Sequence, residues 1–189
     1  MLVNADTLSF FRQMKSIGGI NLVKTCPLIL QDMPLLASMG SARRLPITTM
    51  EDIDQLLGMR MVWYCPNQLG KDGWWVENSP NYVVKDYLAG LANSSIAMPP
   101  ELAKLIKSFQ SGITQPVEAM VAYDTSLKVG LIVDGTKRAL TLCHLRQTDQ
   151  APLAKGFAAG DDIHILKLSS PYCLSLFFCD FAKLHKLIP

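Results

Sequence analysis

The residues best suited to chemistry lie together in Asp134-Gly135-Thr136-Lys137-Arg138. They follow an apolar run, Leu131-Ile132-Val133, with the length and β-branching of a buried strand. Good helix formers come next: Ala139, Leu140 and Leu142. The order predicts a strand, a tight glycine turn and a helix start, with Thr136 capping a helix that begins at Lys137. Free N–H groups at a helix N-terminus favour an anion, and Gly135 lets backbone come close to one. Lys137 and Arg138 add charge, and a guanidinium can fork two hydrogen bonds onto phosphate. Asp134 is the odd member. A carboxylate beside a phosphate site makes sense if it holds a metal or takes a proton. The plainer alternative stays open: Asp-Gly is a common turn, and Lys-Arg after it is often solvated surface.

Other chemistries find less support. His144, His164 and His185 show no ligand spacing with acids or cysteines, and His164 on a strand could face solvent. No Gly-x-Ser-x-Gly, His-Glu-x-x-His or Walker pattern occurs. The five cysteines, Cys26, Cys65, Cys143, Cys173 and Cys179, are odd in number and form no Cys-x-x-Cys pair. Buried thiols in a reducing cytosol are expected, and zinc is not.

These residues need a scaffold, and 189 residues suffice for one domain with a sizeable core. The chain is 49% hydrophobic and 18% charged, with a mean hydropathy of +0.20. A buried core, an apolar interface or contact with a membrane surface each accounts for that. No apolar run reaches transmembrane length, and the start lacks the pattern of a secretory leader. A net charge of +2 does not by itself call for nucleic acid.

Helices are predicted over residues 5–17, with Leu8, Phe11, Met14 and Ile17 on one face, over 33–39, and from 50 to about 58. Residues 20–30 read as extended and Arg43-Arg44 as surface. A strand over 59–65 and a return strand at 74–77 suggest a hairpin. Residues 81–91 read as a helix with Tyr82, Leu88 and Leu91 inward. A helix follows from Pro99-Pro100 to Gln110, buries Leu102, Leu105, Ile106 and Phe109, and stops at Gly112. Strands are predicted over 117–123 and 162–168, and a Leu- and Phe-rich helix over 172–188. The domain reading is an N-terminal helical and extended appendage, 1–45, packed on a core domain, 46–189; a single domain over 1–189 is the alternative.

The order from Glu101 to Leu142 is helix, Gly112, Gln115-Pro116, strand, turn, strand, Asp134-Gly135-x-x-Arg138, helix. It resembles the ParB/sulfiredoxin superfamily and, within it, the Osa-type fertility inhibition proteins of conjugative plasmids. The resemblance implies a compact α/β fold, a mixed sheet with surrounding helices, whose Gly-x-x-Arg turn holds nucleotide phosphates. It implies nucleotide contacts from Gln115, Gly135, Thr136, Lys137 and Arg138. It also implies an ATPase and deoxyribonuclease that uses ATP, or another nucleotide, and a divalent cation such as Mg2+. Asp134 and Glu101 would then hold the metal or orient water, with Arg138 as the third catalytic group. Glu101 has a simpler use as well, compensating the helix dipole.

Where sulfiredoxins carry a Cys in Gly-Cys-His-Arg, this chain has Thr136, so sulfinic-acid reduction is not expected. The second Arg of the partition-protein motif is Ala139, which argues against operator-specific binding. The implied biology is a bacterial cytoplasmic protein, free or peripheral on the inner membrane, that blocks DNA transfer through a type IV secretion system. Its expected partners are DNA without sequence specificity, and the coupling protein or the transferred DNA–protein complex. The rival expectation is a non-catalytic interaction protein acting on the same coupling ATPase or substrate. A third is a small-molecule kinase of the free-serine type, for which no residue defines a serine pocket.

Overall fold

The computed structural model describes residues 5–17, 41–47, 50–61, 82–113, 117–148 and 163–171. Five helices and six strands occur among them: α1 (Ala5–Ile17), β1 (Ser41–Pro46), α2 (Met50–Leu57), β2 (Arg60–Met61), β3 (Tyr82–Val83), α3 (Val84–Ala92), α4 (Pro100–Gln110), β4 (Val117–Asp124), β5 (Val129–Asp134), α5 (Thr136–Gln147) and β6 (Ile163–Ser170). The expected elements at 20–30, 33–39, 74–77 and 172–188 lie outside the described residues, as does Gln115.

The strands form one mixed sheet in the order β1-β6-β4-β5-β2-β3. β4 and β5 run antiparallel through the tight turn that Asp124 stabilises. Its Oδ1 accepts the N–H groups of Ser126 at 3.0 Å and Leu127 at 2.9 Å. β6 lies parallel to β4, and β2 parallel to β5. The two central strands are apolar without alternation because both faces are covered: Met120-Val121-Ala122 and Leu131-Ile132-Val133 are all buried.

One face carries the main core, in which Val117, Ala119, Val121, Ile132, Ile163 and Ile165 meet the helices. Near its centre lies α5, which packs on α2, α3, α4 and β4. It therefore buries Ala139, Leu140, Leu142, Cys143 and Leu145 on several sides rather than along one stripe. α4 buries Leu102, Ile106 and Phe109, with Leu105 half-buried, and Gly112 beyond it takes φ 121°. The opposite face, set by strand alternation, holds Ala42, Met120, Ala122, Leu131, Leu166 and Leu168.

The outer edge of β1 is closed by side chains of α1. Thr7 Oγ1 accepts the Ala42 N–H at 2.9 Å, and Asp6 Oδ2 accepts the Arg44 N–H at 3.1 Å. Unpaired N–H groups on an edge strand invite association, and these contacts occupy two of them. Residue 45 falls inside β1, which pairs with β6 along its length.

Two expectations need correction. The helix predicted from residue 81 starts at Val84. Tyr82 and Val83 instead form β3, in register with Met61 and Arg60. Pairing with β2 outweighs local helix pattern there, and the Val84 N–H continues it by bonding to the Met59 carbonyl at 3.0 Å. Within α3 the buried side chains are Val84, Tyr87 and Leu88, while Leu91 is only half-buried. The second correction concerns the start of α5.

Candidate functional site

β5 ends at Asp134, and α5 starts two residues later. Gly135 between them sits at φ 75°, ψ 19°, in the left-handed region. A Cβ there would stand 2.7 Å from the Glu118 carbonyl oxygen and 3.0 Å from Ala119 Cα. Conformation and space both select glycine. The close approach is to the backbone of β4, and it seats the start of α5 on the sheet. A β-bulge at Met120/Val121 lies beside the same point, where Met120 pairs with Asp134.

The sharp left-handed turn moves the cap position from Thr136 to Gly135. Thr136 is the first residue of the helix, and its hydroxyl makes no capping bond. The Gly135 carbonyl accepts the Ala139 N–H at 2.8 Å and closes the first turn. The Thr136 side chain is buried, with the residue 5% exposed, and its oxygen has no hydrogen-bond partner among the described residues.

Both cations of the turn meet an acid. Arg138 Nη2 donates to Asp134 Oδ2 at 3.1 Å, back across the turn. Lys137 Nζ donates to Glu101 Oε2 in the first turn of α4. The structure thus gathers Glu101, Asp134, Gly135, Thr136, Lys137 and Arg138. The four charged side chains are between 36% and 66% exposed, so their attraction is screened and the pairs are readily exchanged for other ions. The hydrogen bond and charge of Lys137 hold the Glu101 carboxyl below its usual range, so it is ionised at neutral pH. Among the described residues, no group of three or more His, Cys, Asp or Glu side chains is placed to hold a metal ion.

A second polar cluster stands at the same end of the sheet. His164, which the strand pattern left free to face solvent, is 9% exposed. Its Nε2 lies 2.6 Å from Glu118 Oε2, and the same oxygen accepts Arg44 Nη2 at 3.1 Å. β6 is an interior strand, flanked by β1 and β4, and that position buries the imidazole. The register sets Glu118 opposite His164. The backbone carbonyl of the same Glu118 faces Gly135. Strand alternation puts each of these residues on the side away from Ile163 and Ile165, but pairing across 46 residues of sequence is visible only in the fold.

Of the cysteines, Cys143 lies among the described residues, and it is fully buried. Burial, and secondarily the charge of Asp54, pushes its thiol up to about 12, so it is protonated and unreactive at neutral pH. Burial lowers the His144 imidazole. No helix among the described residues is long and apolar enough to cross a membrane. The chain matches no family model, no curated protein and no solved structure.

Proposed function

We propose that the Gly135 turn is the phosphate seat of a nucleotide-binding phosphohydrolase, an ATPase that also cuts DNA. The observation that carries this reading is the Thr136 hydroxyl, buried without a partner at the open end of α5. Leaving such a group unbonded costs about 1–3 kcal/mol, and native structures rarely tolerate it without a use. A phosphate oxygen that reached it as the turn's side chains part would satisfy it, and would also meet the first-turn N–H groups and the helix dipole. Lys137 and Arg138 would turn from Glu101 and Asp134 to the phosphate, which their exposed pairs allow at small cost.

That exchange frees Asp134 beside the bound phosphate, where it can orient a water and take its proton. Phosphoryl transfer needs charge neutralisation and an aligned water more than a strong nucleophile. Glu101 and Asp134 do not form a metal cage. Asp134 would be the protein contact of a divalent cation that came with the nucleotide, and that cation would neutralise phosphate charge. The ParB/sulfiredoxin resemblance adds the finer fold and the biological role: inhibition of conjugative DNA transfer at a type IV secretion coupling protein or its DNA–protein substrate.

The test is calorimetric titration of ATP into wild type and Arg138→Ala. Losing one charge-assisted contact should cost about 1.5–3 kcal/mol, or about one to two decades in affinity. Equal affinity in a folded Arg138→Ala protein rules the phosphate seat out. A second reading takes support from the ion pairs themselves, which also staple α4 and β5 to α5. It is the non-catalytic interaction protein, and it takes the lead if purified wild type neither binds nor hydrolyses nucleotide.

A further inference from the structure

Away from the Gly135 turn, toward the end of β4 and β6, the pairing of β1 with β6 sets Arg43 opposite Lys167 and Ser41 opposite Ser169. With Leu45 these four line a groove of about 360 Å3, within the ~300–1,000 Å3 usual for small-ligand sites. Like charges directly opposite on neighbouring strands are destabilising. Four other cations are met by acids: Arg44 by Glu118, Lys137 by Glu101, Arg138 by Asp134 and Arg146 by Asp54. Among the described residues, neither Arg43 nor Lys167 has a carboxylate within salt-bridge distance. Lys167 Nζ lies 4.3 Å from the centre of the Tyr123 ring, which attracts the ammonium but leaves its charge in place. A cation on an edge strand guards against aggregation, and that accounts for Arg43 on β1. It does not account for Lys167, because β6 is interior.

We propose that this groove is a second anion site and binds a phosphate ester. Arg43 offers a guanidinium fork, Lys167 a point charge and Ser169 a neutral hydroxyl donor; the phosphate would replace repulsion between the two cations with attraction to both. A free nucleotide and the phosphodiester backbone of a nucleic-acid strand share this chemistry, and binding distinguishes them. The site does not depend on the Gly135 turn, which Arg138→Ala tests separately.

The experiment measures fluorescence anisotropy of labelled oligo-dT and calorimetric binding of ATP. The proteins are the full chain, Arg43→Gln, Lys167→Gln and the double variant. The double variant should bind at least one probe about ten- to a hundredfold more weakly. For the oligonucleotide, the salt dependence should also fall by about one contact per removed cation. Loss confined to oligo-dT assigns a nucleic-acid backbone, and loss for ATP assigns a free nucleotide. A Lys85→Gln, Lys107→Gln protein loses the same charge from exposed positions on α3 and α4 and should keep wild-type affinity. Because a like-charge pair is removed, the groove double variant should melt no lower than wild type. Unchanged binding of both probes, equal loss in the α3 and α4 control, or lost binding with a lower melting temperature would each overturn the proposal.

Discussion

At the start of α5, Lys137 and Arg138 are each held by a carboxylate; on the β1–β6 flank, Arg43 and Lys167 face each other, and among the described residues no acid lies within salt-bridge distance of either. The two regions carry the same number of cations, one at a strand-to-helix turn and the other on paired strands, and a ligand would meet them differently. An anion entering the Gly135 turn competes with Asp134 and Glu101, so its affinity is discounted by the pairs it breaks. An anion entering the groove relieves a repulsion that the fold otherwise carries. Net charge conceals this contrast, since +2 for the whole chain says nothing about which cations are already neutralised. The turn also has what the groove lacks, a backbone conformation that admits one residue type and a buried hydroxyl without a partner.

The largest effect should come from Gly135→Ala. The new Cβ must adopt a strained positive φ and displace the Glu118 carbonyl, at a combined cost of about 2–4 kcal/mol. Denaturant unfolding measures it. Wild-type stability would remove the steric half of the contrast between turn and groove.

Asp134→Asn keeps the turn preference and removes the competing charge. Nucleotide affinity should hold or rise as Arg138 is released, while ATP turnover and plasmid nicking fall by about a hundredfold or more. Steady-state kinetics with calorimetry separates the two. Full turnover would leave Asp134 as a turn former and an ion-pair partner only.

Glu118→Gln examines the polar cluster that shares the turn's end of the sheet. Its carboxylate accepts both His164 and Arg44, and it is mostly buried, so stability should drop by about 1–2 kcal/mol. A change below the error of a denaturation curve would show that the cluster carries no structural weight.

Glu101→Gln should barely alter stability, because the Lys137–Glu101 pair is exposed. Freed Lys137 should nonetheless bind phosphate more tightly, and the groove variants should not respond to the change. Weaker nucleotide binding in Glu101→Gln would mean that the acid assists the ligand rather than competing with it.

The smallest effect concerns pH. Burial lowers the His144 imidazole, so the unfolded chain takes up its proton first as pH falls. The contribution of His144 is therefore fully present above the unfolded value of about 6.5 and is lost as pH falls toward the lower folded value. A His144→Gln protein should show a flatter stability profile through that window, by thermal melts in matched buffers. An unchanged slope would place the acid sensitivity elsewhere.

Much of the scaffold was legible because it is local. The Leu131–Val133 run, the Asp124 turn, the Pro100 helix start and the stop at Gly112 each follow from side-chain volume, branching or backbone freedom within a few residues. The Asp134–Arg138 stretch stood out for the same reason. Thr136 shows where that reasoning fails. Its type suits a cap, but the left-handed Gly135 takes the position and leaves the hydroxyl buried. Tyr82 and Val83 show it again, drawn from a helical pattern into β3 by pairing with β2.

By itself, then, the chain determined most of the helices and strands among the described residues, and that one glycine turn would carry two cations, since those properties depend on neighbours a few residues away. Only the tertiary structure decided which acid answers which base. Glu101 reaches Lys137 across 36 residues of sequence, Glu118 reaches His164 across 46, and Arg43 is left facing Lys167. Those pairings are set by strand register and helix packing, and a shift of one residue in register would turn the side chains of a strand to the opposite face.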